Sequence, residues 1–411
     1  MRLIPPMPLT GPYRAGGVWH CPVHLVRGGT STGLVLPQSL MPADAAVRDE
    51  LLRHLLGVPL QGDLPNNRQL TGLGRVTPTS NKVFLVNVEH AESGWRLVST
   101  LAQLAAHTDA IDWRANCGNL TSSLPLWALD VGLLQPEDDG SCRMVIRNTN
   151  TGVISEARLQ CRPDGQPRCD GMPGVDGAWP AVDLTLLAPA GAKTGRLLPT
   201  GAARDEIDGI PVSCVDVAVP MVLIRAADLG KSAEEAPAAL AQDTDFMRRL
   251  RQLWVAAALR MGLTDADGRL LDEAALARSE TLPKVAILAP GRGESQLLVR
   301  YFTPQQPHAA LAVSGACCIA SACLVPGTVA NELATGLPAL RSAQVIDIVL
   351  ENPAGLLRAR IEAEVGSRGV DILRAVYRRN AQILMRGHVP LTRASSALAG
   401  WLARVAAQCQ A

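Results

Sequence analysis

The sequence predicts an α+β chain of two similar domains, each a mixed β-sheet wrapped round one central apolar helix. Three observations predict it. Strand-like runs alternate with helix-like runs along the 411 residues. AALAVSGACCIASACLVP, Ala309 to Pro326, has the small-residue composition of a helix buried on all sides by protein rather than by lipid. The two halves also repeat. KVFLV at Lys82 answers KVAIL at Lys284, Cys117-Gly118 precedes one helix as Gly315-Ala316 precedes the other, and NTNTGVISEARL answers ENPAGLLRARIE. The spacing agrees: 70 positions from Lys82 to Gly152, 71 from Lys284 to Gly355.

The elements follow in order. HLVRGGTSTGLVL (24–36) reads as a strand interrupted by a glycine loop, and ADAAVRDELLRHLL (43–56) as a helix with apolar residues at helical spacing. The Gly-rich TGLGRVTPTSN leads into the strand KVFLVNV (82–88), a short strand follows at 95–101, and the Cys117 turn opens a helix to about Val131. MVIRNTNTGVISEARLQC (144–161) reads as two strands around a turn. Residues 162–209 are dense in Gly, Pro and Asp, so the domain junction is expected at their far end. The second half then offers a strand (215–225), a helix (about 245–261), the strand KVAILAP (284–290), the small-residue helix, and two strands at 345–365. The expected division is 1–205, completed by about 374–411, against 206–373.

Composition narrows the function. The chain is long enough for two or three domains, each burying its own core. With 39 Lys and Arg against 38 Asp and Glu, no overall field recruits nucleic acid or an anionic membrane, so neither is an expected partner. Ten cysteines lack paired CxxC spacing, which predicts reduced thiols and a cytoplasmic protein. The proline-broken MRLIPPMPLTGPYRAGG reads as neither signal peptide nor anchor. Two similar domains facing one another would aim two helix N-termini into one cleft, a setting for an acid with several carboxylates.

Four places could carry chemistry. Cys117 stands at a helix entrance, where unpaired N–H groups and Gly118-Asn119 surround it; it is either a proton-exchanging thiol or a small buried side chain. Lys82 opens an apolar strand, so it is either a desolvated general base or an edge lysine reaching solvent, and Lys284 has the same setting. Arg27 to Gly33, RGGTSTG, is either an oxyanion loop with Thr30 and Ser31 as donors or a plain turn. Cys317, Cys318 and Cys323 match no metal or cluster spacing and read as core, and His308 precedes their helix. No Walker loop, dinucleotide fingerprint, HExxH or GxSxG is present.

Taken as an ordered series, these segments resemble the PrpF family, whose members resemble diaminopimelate epimerase in fold. RGGTSTG is similar to the family's RGGTSKG, GLGRVTPTSNKV to its glycine-rich loop ending in lysine, and NCGNL to its NCGN turn. VPMVLIRAADLG, LPKVAILAP, HAALAVSGACCIASACLVPGT and ILRAVYRRNAQILMRGHVPL continue the match over nearly the whole chain. The resemblance implies a cofactor-free, metal-free isomerase of small unsaturated di- or tricarboxylates such as 2-methylaconitate, aconitate or oxalomesaconate. It implies Lys82 and Cys117 as the proton-transferring pair. Substrate contacts are expected from Arg27, Gly29, Thr30, Ser31, Ser80, Asn81, Asn116, Gly118 and Asn119, with Gly315, Ala316, Cys317 and His308 from the second half. Thr32 departs from the usual lysine of RGGTSKG, and Arg75 stands where glycine is common. Keto-enol tautomerisation of an oxo-dicarboxylate, a non-catalytic accessory role beside a dehydratase, and a homodimer all stay open.

Overall fold

The structure is a computed structural model that describes residues 11–91, 94–113, 116–265, 268–279, 282–367 and 369–410. The N-terminal reading falls partly on residues 1–10, outside the described residues. The chain divides into two compact units, Met1–Leu184 with Arg379–Ala411, and Thr185–Arg378.

In the first unit, Val18–Gly28 pairs antiparallel with Ser31–Pro37 across a two-residue turn. Ser31–Pro37 runs parallel to Lys82–Ala91, which pairs antiparallel with Gly94–Leu104. That strand lies parallel to Ser141–Asn148, itself antiparallel to Ile154–Gln160. The two helical pieces after Cys117, Gly118–Thr121 and Ser123–Asp130, pack on the first, second and last two of these strands. Trp127 and Leu124 are fully buried there.

The opposite face is covered by Ala45–Leu56. Asp44 starts this helix by accepting from the Ala46 and Val47 amides, and Gly57, at φ 70°, ends it in the left-handed conformation. Its Leu51, Leu52, Leu55 and Leu56 meet Leu34, Leu36, Val83 and Leu85 of the sheet and Leu398 and Leu402 of the C-terminal helix Ser396–Gln410. Covering on both faces explains why Ser31–Pro37 is buried at every position and why Leu34–Pro37 shows no polar alternation.

The second unit repeats the order of pairings. Ile210–Val217 is antiparallel to Val219–Arg225, which is parallel to Lys284–Pro290. Next come Leu297–Phe302 antiparallel, Gln344–Asn352 parallel, and Gly355–Gly366 antiparallel. Val313–Cys323 is the central helix, packed on the equivalent four strands. Its side chains from Gly315 to Cys323 are all buried, as their small size allows. Thr244–Met261 takes the outer face, with Leu250, Leu253, Trp254 and Ala257 in the core. Among the described residues, no helix is long and apolar enough to cross a membrane.

Three features differ from the sequence reading. Residues 215–225 belong to two strands, turned at Ala218 with φ 63°, a position where glycine would have announced the turn. The Gly- and Pro-rich stretch after Arg162 holds two strands, Cys169–Met172 and Val175–Leu187, whose turn residues mask the alternation. The division between units falls after Leu184 rather than at 205. The reason is Asp216, fully buried, which accepts from the Lys193 and Thr194 amides at 2.8 Å each and so binds the 191–196 loop to the second unit.

The final long strand, Gly369–Leu391, contributes to each unit in turn. Its first part pairs with Gly355–Gly366, and its later part, from Ala381 onward, pairs with Val18–Gly28.

Candidate active site

In the first unit, glycines let three backbone segments meet. Gly29 turns the RGGTSTG hairpin at φ 53°, and its N–H donates to the Asn380 carbonyl at 2.9 Å. A Cβ on Gly28 would land against the Asn119 carbonyl oxygen and 2.9 Å from Leu120 Cα. One on Gly33 would lie 2.6 Å from the Lys82 carbonyl oxygen and 2.8 Å from Leu120 Cδ2. The missing side chains therefore bring the NCGN turn and the start of the Lys82 strand against the hairpin.

Cys117 caps the helix it precedes. Its backbone is extended, at φ −138° and ψ 95°, and its Sγ accepts from the Leu120 N–H at 3.5 Å while lying 3.6 Å from Ser31 Oγ. The thiol is half-buried, so it retains access. Asn119 Nδ2 donates to Thr30 Oγ1 at 3.1 Å, and Asn116, exposed, accepts from the Cys117 N–H through Oδ1 at 2.7 Å.

Lys82 is 7% exposed and sits on an interior strand, between Ser31–Pro37 and Gly94–Leu104. The solvent-reaching edge lysine is therefore ruled out. Burial lowers the Lys82 pKa from its usual value, and charge on Cys117 acts in the opposite direction. The sulfur is thus an electrostatic neighbour of the amine. Asn81, fully buried, fixes the strand start: its Oδ1 accepts from Gln69 Nε2 at 2.9 Å and from the Arg75 N–H at 3.1 Å, and its carbonyl accepts from the Leu104 N–H at 3.0 Å. Ser80 precedes it in a short 3₁₀ turn, its Oγ accepting from Thr77 Oγ1 at 3.3 Å.

Arg27 is engaged with the hairpin itself. One of its amino groups donates to the Gly29 carbonyl at 2.9 Å and Asn380 Oδ1 at 2.7 Å, while its guanidinium lies 5.7 Å from the Trp179 ring. Thr32, 8% exposed, stands opposite Arg27 in the strand pair. The Arg75 side chain is exposed.

The second unit holds the remaining candidates. Gly315 lies under the Tyr301 ring, where a Cβ would come within 2.5 Å of the ring carbons. Ala316 and Cys317 are fully buried, and the Ala316 N–H already donates to the Ala312 carbonyl at 2.8 Å. The expectation that Ala316 and Cys317 contact substrate is therefore corrected: both are fully buried, and one full turn into a helix the Ala316 N–H is taken up by the helix itself. Cys318 and Cys323 are core, their thiol pKa values pushed up by burial. His308 packs edge-on to Tyr301 at 5.7 Å and accepts the Ala310 N–H at Nδ1, 2.9 Å away, which leaves its proton on Nε2. Burial lowers its pKa, and Lys284 lowers it further.

Lys284 occupies the register position equivalent to Lys82, at the start of a strand parallel to its predecessor, and burial brings its pKa down to about 8. Its ordinary value is 10.5. Between these values the unfolded chain holds the extra proton, so stability rises with pH across that window. Lys284→Met is accordingly expected to stabilise the protein by about 3 kcal/mol at pH 7 in urea denaturation, with the gain vanishing above pH 10.5. An equal gain at pH 7 and about pH 11 would refute the desolvation argument.

Signals missed in the sequence include Arg379, Asn380 and Gln69. Arg379 is 3% exposed, and its Nε donates to Asn119 Oδ1 at 2.9 Å. Buried arginine and asparagine in the otherwise strand-like AVYRRNAQILM were the available clue.

The chain is 31% identical over 355 residues to the 4-oxalomesaconate tautomerase of Pseudomonas putida, covering 85% of this chain and 91% of that one. It is 29% identical over 384 residues to the (4E)-oxalomesaconate Delta-isomerase of a Novosphingobium species, covering 92% and 99%. The crystal structure of a methylitaconate-delta-isomerase superposes with a TM-score of 0.76 at 24% identity, over 92% of this chain and 97% of that one, which shows a shared fold. The sequence model of the PrpF protein family matches residues 18–392, a span running from the strand before RGGTSTG to the end of the last strand, and the chain belongs to the PrpF family.

Proposed function

We propose that the protein isomerises a small unsaturated di- or tricarboxylate by an allylic proton shift, with Lys82 as base. The observation that carries the reading is a buried, pKa-lowered lysine beside a half-buried helix-capping thiol, next to a hairpin that presents Thr30 and Ser31.

A lysine that readily loses its proton can take one from the sp³ carbon next to a double bond and a carboxylate. The electron pair left behind delocalises through the double bond into a dienolate. Hydroxyl and amide donors on one wall stabilise the charge as it develops, in a site where little water competes. Returning the proton at the far carbon moves the double bond by one position, and Cys117 stands as the donor for that step. Both protons pass between side chains and substrate, so the scheme calls on no metal or cofactor.

The tautomerase relative favours a second reading, enolisation of an oxo-dicarboxylate, because that reaction begins with the same α-proton abstraction. The two are separated by substrate.

Purified protein in deuterated water would be given trans-aconitate, 2-methylaconitate or oxalomesaconate, and double-bond position and deuterium uptake followed by NMR. Double-bond migration with deuterium at the γ-carbon supports the isomerase; exchange confined to the carbon next to an oxo group supports the tautomerase. Tight binding with no exchange for any acid would overturn both. Cys117→Ala is expected to lower turnover about 10²-fold while leaving deuterium exchange at the abstracted position measurable, since the base is intact. Equal loss of both processes would assign abstraction to Cys117 instead.

A further inference from the structure

Arg379 lies on the strand beside the hairpin, one residue from the Asn380 that brackets the Gly29 turn. Successive residues of a strand face opposite ways, so Arg379 reaches the start of the central helix while Asn380 reaches Arg27 and the Asp170 carbonyl. A guanidinium is donor-only. Its Nε–H, 2.9 Å from Asn119 Oδ1, therefore fixes which way the Asn119 amide points. The amide's NH₂ must then face Thr30, and it donates to Thr30 Oγ1 at 3.1 Å. With one lone pair occupied by an incoming N–H, the Thr30 hydroxyl directs its own proton elsewhere. Thr30 is half-buried, and among the described residues no protein acceptor receives that proton.

We propose that Arg379 is a positioning residue: through Asn119 it orients Thr30 as an obligate hydrogen-bond donor to one carboxylate of the substrate. The chain runs in one direction, from a donor that cannot accept, through an amide with one orientation, to a hydroxyl with a committed proton. Gly29 is part of the device, since a Cβ there would fall 2.7 Å from Asn119 Oδ1 and push the amide out of line. The inference rests on the polycarboxylate reading given above.

The test is a double-mutant cycle on Thr30 and Asn119, read by calorimetric binding of tricarballylate, a saturated tricarboxylate that cannot isomerise, and by the kcat and KM of turnover. In Asn119→Asp the new carboxylate has the shape of the amide it replaces and retains the pairing with Arg379. It accepts from Thr30 instead of donating, so the hydroxyl proton turns away from the ligand. Thr30→Val and Asn119→Asp are each expected to weaken tricarballylate binding about tenfold or more, with KM rising more than kcat falls. Asn119→Asp made in the Thr30→Val background is expected to weaken binding about tenfold less than in the wild type, because no hydroxyl is left to turn. That second arm also isolates the bare effect of the added charge. Thr30→Ser, which keeps the hydroxyl, should restore binding, and Arg379→Met should raise KM as Asn119→Asp does. Strict additivity across the cycle, with wild-type binding and turnover intact, overturns the relay alone. Failure of the wild type to bind or exchange any acid overturns the relay together with the functional reading.

Discussion

Lys82→Ala is expected to lower double-bond migration and deuterium uptake together, by about 10³-fold, while the protein stays folded. The two losses go together because removing the base blocks the first step, on which all exchange depends. The fold should survive, because the lysine lies in a place that disfavours its charged form: burial lowers its pKa. The same shift sets the pH profile of the wild type. Only the neutral amine can accept a proton, so kcat/KM should rise with pH on its acid side and level off as Lys82 deprotonates, at a midpoint below the 10.5 of an ordinary lysine. Turnover that survives unchanged in the alanine variant sinks the assignment of the base.

Gly28→Ala is expected to disrupt the packing of the hairpin against the NCGN turn. Its Cβ would meet the backbone of Asn119 and Leu120, which cannot rotate away as a flexible side chain could. Overpacking of this kind costs about 1–3 kcal/mol, and here the strain would fall on the NCGN turn. Moving Cys117 relative to Lys82 by about 1 Å should lower turnover about 10²-fold beyond any loss of stability. Urea midpoints and deuterium exchange would measure the two effects. Gly171→Ala in the same unit is the control, since a Cβ there meets nothing within 4 Å, and it should change neither. A Gly28→Ala protein as stable and active as the control would show that the hairpin and turn are not held in register as described.

The elements that carry their own signals were legible. Lys82 opens an apolar strand and Cys117 precedes a helix, and both positions follow from local pattern. The matched order of strand pairings in the two units was visible as a repeat, because homologous strands retain similar apolar patterns and spacing. Ala218 was not legible, because an alanine in the left-handed region carries no turn signal. Ala316 misled for a different reason: aligning it with Gly118 put it at a helix start, whereas its helix already begins at Val313 and its N–H is bonded to Ala312.

The sequence by itself determined the architecture, two sheets each wrapped round an apolar helix, and the identities of a lysine, a thiol and a hydroxyl loop suited to proton transfer. Local periodicity and residue chemistry suffice for that. Tertiary structure alone decided what those groups can do. Lys82 is desolvated only because strands on both sides enclose it. The Asn119 amide is oriented only because Arg379, 260 residues away, returns on the last strand to meet it. Burial and hydrogen-bond direction are properties of neighbours brought together by folding, and no window of sequence contains both partners.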